Sequence, residues 1–142
     1  MDIINNIEWY FDEPKNAINK NNGKKITKKA LKTVVFEENI KLCLPLNNNF
    51  SFTETRELQK PITVEQILQL ISNFYKESLK EENIDKAFEE NEEWKDEIIE
   101  RFEGDVSKLT NYHVFDDMCT PDFCGIHLVE ESGEYFVGIG PE

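Results

Sequence analysis

One stretch of the chain combines a helix start signal with apolar residues at helical spacing. Thr63 is suited to the N-cap position and Gln66 follows three residues later, a spacing that predicts a capping box. Beyond the cap, apolar side chains recur three or four positions apart: Val64, Ile67, Leu68, Ile71, Phe74, Tyr75 and Leu79. Because residues at this spacing share one face of a helix, the pattern predicts an amphipathic helix over 64–79 that packs on a sheet.

Strand patterns precede this helix. Residues 31–36 are rich in β-branched side chains and residues 40–44 alternate with a period of two, so we expect a hairpin that turns at 37–39. Within the second strand, the alternation makes Cys43 a small, half-buried residue on the face opposite the apolar one. A further strand is expected at 50–55, after an Asn-rich turn.

Three more strand patterns lie in the last third of the chain. They cover residues 112–115, 123–129 and 135–139. The last two are separated by a short polar connector that contains Ser132 and Gly133. This composition is typical of a hairpin turn, so these two strands are expected to pair antiparallel.

A second helix is predicted over 84–103, starting near Asn83 and ending at Gly104, a plausible C′ residue. Its apolar residues lie mostly on one side: Ile84, Ala87, Phe88, Trp94, Ile98 and Phe102. Residues 77–105 hold thirteen acidic and four basic residues, so the other side of this helix is strongly acidic. Such a face is commonly only solvated, and the alternative is a docking surface for a basic partner.

The first 29 residues differ in composition from the rest of the chain. Residues 3–11 are apolar enough for a docked helical turn or a strand, whereas 12–29 are rich in Asn and Lys and contain Pro14 and Gly23. We interpret 12–29 as a basic, solvated and mobile linker. The alternative is a basic arm that binds nucleic acid, but its lysines have no interleaved aromatic residues and no arginines.

Together these patterns predict an α+β fold in which a mainly antiparallel sheet packs against two helices in a single domain. The sheet is expected to be built from residues 31–55 and 112–139. The predicted domain covers residues 30–142, and the N-terminal segment 1–29 precedes it.

The charge of the chain favours some partners over others. The 142 residues carry a net charge of −13, and residues 42–142 alone hold 23 acidic against 8 basic residues. A field of this sign repels phosphates, so direct nucleic-acid binding by the acidic body is not expected. A protein partner with basic character is the expected one.

Other features of composition bear on the compartment. The chain contains no apolar run long enough for a membrane span, and residues 1–10 lack the basic-then-apolar pattern of a secretory signal. The cysteine count is three, an odd number that favours reduced thiols over a disulfide framework. We therefore expect a cytoplasmic protein.

Residues able to bind a metal ion are concentrated in one fifteen-residue window. It contains His113, Cys119, Cys124 and His127, both histidines and two of the three cysteines of the chain. Four such side chains would hold a zinc ion if they converged, although H-x5-C-x4-C-x2-H matches no common zinc knuckle. Cys124 and His127 could chelate together only if Cys124 lay in a loop before the strand, because positions three apart in a strand face opposite sides.

Nucleophilic catalysis is a further alternative for the same window. Cys119 or Cys124 could act with a nearby histidine, oriented by an aspartate such as Asp116 or Asp122. However, the acidic surroundings raise the pKa expected for a thiol there and so disfavour the reactive thiolate. No catalytic residue is therefore assigned, and an enzyme of unrecognised class remains an alternative.

Three segments carry a resemblance to known sequences. They are the run from Pro61 through the 64–75 stripe, Tyr112–Met118, and Gly133–Gly140. In these segments the chain resembles a group of uncharacterised proteins from giant nucleocytoplasmic large DNA viruses of the mimivirus kind. The resemblance implies a protein made in the cytoplasm of an infected host cell or packaged in the virion, and it brings no activity or cofactor with it.

The sequence thus favours a non-enzymatic viral protein-interaction or structural module. Its docking surface is expected to be either the acidic face of the second helix or an apolar sheet edge. The alternatives are a small domain stabilised by zinc at His113, Cys119, Cys124 and His127, and an enzyme of unrecognised class. Neither the identity of the partner nor the oligomeric state follows from the sequence.

Overall fold

The structure is a computed structural model that describes residues 2–9, 12–47, 52–89, 92–115 and 124–141. The helices are α1 (Asp2–Asn5), α2 (Lys28–Leu31), α3 (Val64–Lys76), α4 (Glu81–Ala87) and α5 (Glu92–Arg101). The strands are β1 (Ile7–Trp9), β2 (Ile18–Asn19), β3 (Val34–Phe36), β4 (Ile40–Pro45), β5 (Thr53–Leu58), β6 (Ile62–Thr63), β7 (Cys124–Glu131) and β8 (Glu134–Pro141). This mixture of helices and antiparallel-rich sheets confirms the predicted α+β class.

Six of the strands form one sheet in the order β2-β1-β7-β8-β4-β5. Neighbouring strands pair antiparallel except β4 and β8, which run parallel with Leu42 in register with Tyr135. The predicted turn between β7 and β8 is confirmed, since Ser132 and Gly133 have φ angles of 55° and 81°. Two successive positive φ angles are typical of a hairpin turn that matches the twist of its strands.

The core lies between one face of this sheet and α3. The capping box at the start of α3 is present as predicted, because the Gln66 N–H donates to Thr63 Oγ1 at 3.2 Å and the Thr63 N–H donates to Gln66 Oε1 at 2.7 Å. Buried side chains from the stripe of α3 and from the sheet form one cluster that includes Ile67, Leu68, Ile71, Phe74, Leu42, Leu44, Ile126 and Leu128. Each of these apolar side chains removed from water contributes about 1.5–3 kcal/mol to folding.

The helix α3 ends at Lys76, three residues before the predicted end. Glu77 is extended, with ψ of 147°, and Ser78 forms a β-bridge with Thr110. The chain therefore leaves the helix in order to pair with a distant segment, while Leu79 remains buried in the core. Among the described residues, no helix combines the length and the apolar content needed to cross a membrane.

The predicted hairpin between residues 31–36 and 40–44 is wrong. The start of the first segment belongs to α2, whose N-cap Thr27 accepts a hydrogen bond from the Ala30 N–H at 3.0 Å. The remainder, β3, pairs with β6 in a separate two-stranded sheet, and β4 pairs with β5 and β8 instead. The cap at Thr27 starts a helix where the first strand was expected, and both β3 and β4 pair with strands that are more distant in the sequence.

The second predicted helix is divided into α4 and α5. Phe88 is the C-cap residue of α4, with φ of −111°, and its side chain is 2% exposed. The chain therefore leaves the helix at a residue that is fixed in the core. The acidic run 89–93 contains like charges that destabilise a continuous helix. At the end of α5, the Gly104 N–H donates to the Ile99 carbonyl at 2.9 Å, and Glu103, with φ of 56°, takes the left-handed C′ position predicted for Gly104.

The strand predicted at 112–115 is also wrong, because residues Asn111–Phe115 form a 3-10 helix. The His113 side chain accepts a hydrogen bond from the Thr110 N–H at 2.8 Å. Local bonds of this kind between side chain and backbone compete with strand formation. The strand expected at 50–55 is β5, shifted to Thr53–Leu58, and residues 50 and 51 lie outside the described residues.

The N-terminal segment is part of the same fold. Both β1 and β2 belong to the main sheet, and Trp9 and Ala17 are fully buried. The Trp9 indole also donates to the Glu13 carbonyl at 3.1 Å, which fastens the start of the segment 12–29 to β1. The predicted boundary at residues 29 and 30 falls within α2, and the mobility of 12–29 stays a prediction.

Candidate functional site

His113 is held by local contacts. Its Nδ1 accepts the Thr110 N–H, its carbonyl accepts from the Trp94 indole at 3.3 Å, and its ring meets the Phe102 ring edge-on at 5.0 Å. A histidine that binds a metal usually donates an N–H from its other ring nitrogen. Nδ1 is an acceptor here, so the neutral ring carries its proton on Nε2. Metal binding would require this local arrangement to change.

The other members of the window are placed differently. His127 is exposed in β7, in register with Gly138, whereas the window's first histidine lies on the 3-10 helix. The strand β7 begins at Cys124, so the loop position required for joint chelation by Cys124 and His127 is not observed. Cys119 lies outside the described residues, as do Asp116 and Asp122. Within the described part of the chain, no group of three or more His, Cys, Asp or Glu side chains is placed to hold a metal ion, and the zinc site stays a prediction.

Cys43, which was expected to be half-buried, is 2% exposed. Its thiol donates to Glu134 Oε2 at 3.2 Å and lies 3.7 Å from Thr55 Oγ1. Burial raises the pKa of this thiol, and the Glu134 carboxylate adds to the rise. A buried thiol with a raised pKa is a poor nucleophile, so Cys43 has a packing role.

The surface of α4 and α5 is strongly acidic. Ten carboxylate side chains among the described residues of 81–103 are exposed: Glu81, Glu82, Asp85, Glu89, Glu92, Glu93, Asp96, Glu97, Glu100 and Glu103. We call these residues the acidic face. Of the apolar residues predicted for the inner side, Ile84, Ala87, Phe88 and Ile98 are buried, whereas Trp94 and Phe102 are half-buried. The apolar side therefore packs inward and the acidic side is exposed, but they belong to two helices and not to the single helix predicted.

The basic residues of α4 and α5 contact residues of the chain itself. Lys95 Nζ lies 3.3 Å from Asp85 Oδ1, Lys86 Nζ lies 4.5 Å from the centroid of the Phe52 ring, and the Arg101 guanidinium lies 5.2 Å from the centroid of the Trp94 ring. The acidic face holds ten carboxylates against these three basic residues. It therefore presents a large net negative charge to solvent.

One of the two edge strands of the main sheet, β5, is polar. The outer strand β5 reads Thr-Glu-Thr-Arg-Glu-Leu and is polar along most of its length. Its Arg56 contacts Glu54 at 3.3 Å and Glu77 at 3.1 Å, so the side chains form ion pairs across the edge. Charged side chains of this kind protect edge strands from pairing with other chains.

Two buried polar side chains form hydrogen bonds that the sequence did not indicate. The Asn111 side chain, 4% exposed, donates to the Phe74 carbonyl at 2.8 Å near the end of α3. The buried Tyr75 hydroxyl donates to the Pro45 carbonyl at 2.9 Å. Both side chains donate to backbone carbonyl groups that are distant in the sequence. No local sequence pattern could have predicted these two hydrogen bonds.

Comparisons of the chain with protein-family models, with curated proteins and with solved structures gave no match. Among the described residues, the acidic face is the feature with the clearest chemical preference, because it attracts cations and repels anions.

Proposed function

We propose that the chain is a non-enzymatic protein-interaction module that docks a basic protein partner on its acidic face. The observation that carries this proposal is the exposure of ten carboxylates on and directly after α4 and α5, whose basic residues contact the chain's own side chains. Complementary charge speeds association with such a partner and disfavours partners of the same sign. The net charge of −13 favours the same kind of partner.

The rigid attachment of these helices supports the proposal. Ile84, Phe88 and Ile98 are between 0% and 6% exposed, so the helices are anchored in the core while their carboxylates face solvent. An anchored surface loses less conformational entropy on binding than a mobile one. The acidic face can therefore recognise a partner by position as well as by charge.

The experiment compares two triple variants of equal charge. Glu93→Gln, Glu97→Gln and Glu100→Gln neutralise part of the acidic face, whereas Glu57→Gln, Glu65→Gln and Glu131→Gln remove the same charge from exposed positions elsewhere. Binding to immobilised polylysine, with polyglutamate as the acidic control, is measured by interferometry at about 50 mM and about 500 mM salt.

We expect the first triple variant to weaken polylysine binding more than the second, and high salt to weaken binding for every variant. Equal weakening by the two triples would show that only the total charge matters and would contradict the assignment to the acidic face. Binding that is unaffected by salt would contradict the electrostatic form of the proposal altogether.

We further propose that the module acts in the cytoplasm of a cell infected by a giant virus, or in the virion. This context rests on the resemblance of the Pro61, Tyr112–Met118 and Gly133–Gly140 segments to proteins of such viruses. An antibody against the chain, applied to fractions of infected cells and to purified particles, tests it. Detection in neither the cytoplasm nor the particles would reject this context while leaving the docking proposal open.

A further inference from the structure

A second acidic feature, which shares no residue with the acidic face, lies where the two-stranded sheet meets the main sheet. A cavity of about 340 Å³ opens there between β3, the start of β4 and the turn that joins β7 to β8. Its lining includes Phe36, Tyr135 and three glutamates, Glu37, Glu38 and Glu130. No lysine or arginine is part of the described lining.

The aromatic side chains form one corner of this cavity. The rings of Phe36 and Tyr135 have centroids 4.7 Å apart and planes inclined at 59°, and both side chains are half-buried. Two inclined rings can present π surface to one point from different directions. The π face of an aromatic ring attracts cations, and such corners recur where proteins recognise ammonium groups.

The three glutamates are available to a cation. Each is exposed, and the ion pairs found among the described residues involve none of them. Burial raises the pKa of the Tyr135 hydroxyl, and the charges of Glu130 and Glu38 raise it further. The Glu38 and Glu130 carboxylates therefore act on the Tyr135 hydroxyl, and they line the same cavity as the two aromatic rings.

We propose that this cavity binds the ammonium group of a lysine side chain on a protein partner. The inference rests on the proposed function, because the partner is the same basic protein that docks on the chain. A lysine ammonium has three diverging donors, which suit carboxylates delivered from separate elements, namely the 37–38 turn and β7. A quaternary ammonium has no donor, and the planar guanidinium of arginine suits a single carboxylate better.

The probes are four small amides and salts applied to the full chain. N-acetyl-lysine amide is compared with N-acetyl-norleucine amide, which has a similar alkyl chain without charge, with N-acetyl-arginine amide, and with choline. Binding is followed by changes in backbone amide NMR signals. We expect saturable changes at Asn39, Glu130 and Gly133 with the lysine probe, at roughly millimolar affinity, and negligible changes with norleucine.

Matched variants locate the effect. Glu38→Gln with Glu130→Gln should weaken lysine binding roughly fivefold, whereas Glu57→Gln with Glu131→Gln removes the same charge elsewhere and should leave binding nearly unchanged. Tyr135→Phe should retain binding and Tyr135→Leu should weaken it, because only the first keeps the ring. If Tyr135→Leu does not fold, the exposed glutamate pair still decides the result.

Several outcomes would overturn the inference. Equal binding of the norleucine probe would show an apolar cavity without cation selectivity. Equal or tighter binding of choline or of the arginine probe would reject lysine as the ligand. Loss of lysine binding in both glutamate pairs would show a non-local charge effect.

The failure of this inference can be separated from the failure of the proposed function. If the Glu38 and Glu130 variants bind polylysine normally while neutralisation of Glu93, Glu97 and Glu100 weakens it, the docking face stands and the lysine cavity does not. If polylysine binding is insensitive to salt and to all of these variants, the proposed function fails as well.

Discussion

At the scale of single residues, three of the described polar side chains form hydrogen bonds with backbone groups. Tyr75 donates to a carbonyl of β4, Asn111 donates to a carbonyl of α3, and His113 accepts a backbone N–H. A buried backbone group without a partner costs about 1–3 kcal/mol. These side chains therefore hold separate segments together, and their roles became visible only once those segments were adjacent.

The two histidines provide a test that separates a local role from a zinc site. We expect His113→Ala to lower the free energy of unfolding by about 1–2 kcal/mol, because the Thr110 N–H loses its acceptor. His127→Ala should change stability little, since this side chain is exposed. Urea denaturation of both variants, with and without a chelator, measures the effect.

Elemental analysis of protein purified without a metal-affinity tag accompanies the histidine comparison. Stoichiometric zinc, a loss of stability in chelator, and similar destabilisation by both histidine variants would together support the metal-stabilised domain instead.

Tyr75 predicts a dependence of stability on alkaline pH. Burial raises the pKa of its hydroxyl well above the ordinary value of 10.0, so the folded state keeps the proton at pH values where the unfolded chain loses it. The corresponding stability is fully present below about pH 10 and falls as the pH rises further. Tyr75→Phe should cost about 1–2 kcal/mol at neutral pH through the unpaired Pro45 carbonyl.

The difference in unfolding free energy between the wild type and Tyr75→Phe, measured from about pH 8 to about pH 11, should shrink as the pH increases. Tyr135, whose pKa is also raised, titrates in both proteins and so provides a common background. A constant difference over this range would contradict the assignment to the Tyr75 hydroxyl.

At the scale of secondary structure, local signals were reliable where they acted within a few residues. The Thr63 and Gln66 capping box and the Ser132–Gly133 turn depend on neighbours only, and both are present. The hairpin expected at 31–44 failed because the partner of β3 is β6, which no local pattern identifies. The strand expected at 112–115 failed because side-chain bonds of the segment compete with pairing.

The end of α5 carries a position that glycine should improve. Glu103 has φ of 56°, a left-handed conformation that costs a residue with a Cβ atom about 1 kcal/mol. We therefore expect Glu103→Gly to raise the melting temperature. Glu103→Gln is the matched control, because it removes the same charge and retains the side chain. A rise of equal size in both variants would attribute the gain to relief of repulsion.

At the scale of the whole molecule, the net charge of −13 opposes compaction. We expect sodium chloride, raised from about 0.05 M to about 0.5 M, to increase the free energy of unfolding by about 1 kcal/mol through screening. The triple variant Glu93→Gln, Glu97→Gln and Glu100→Gln should gain less, since it begins with weaker repulsion. Urea denaturation at each salt concentration measures both, and a decrease with salt would contradict the interpretation.

The two candidate surfaces differ in how far the sequence could reveal them. The acidic face is continuous along the chain, so counting charges in residues 77–105 was sufficient. The lysine cavity joins Phe36 and Glu38 to Glu130 and Tyr135, which lie far apart in the sequence. The parallel pairing of β4 with β8 brings them together, and no sequence pattern indicated which strands would pair in this way.

The order of the strands in the main sheet differs from their order of synthesis. In the order β2-β1-β7-β8-β4-β5, the β7–β8 hairpin is the insert that joins two pairs of strands translated earlier. Until the ribosome has released the hairpin, β1 and β4 each expose a strand edge that a nascent chain nearby could capture. Closing such distant contacts is slow. We therefore expect both edges to be open to misassembly during translation and to be covered once the hairpin has inserted.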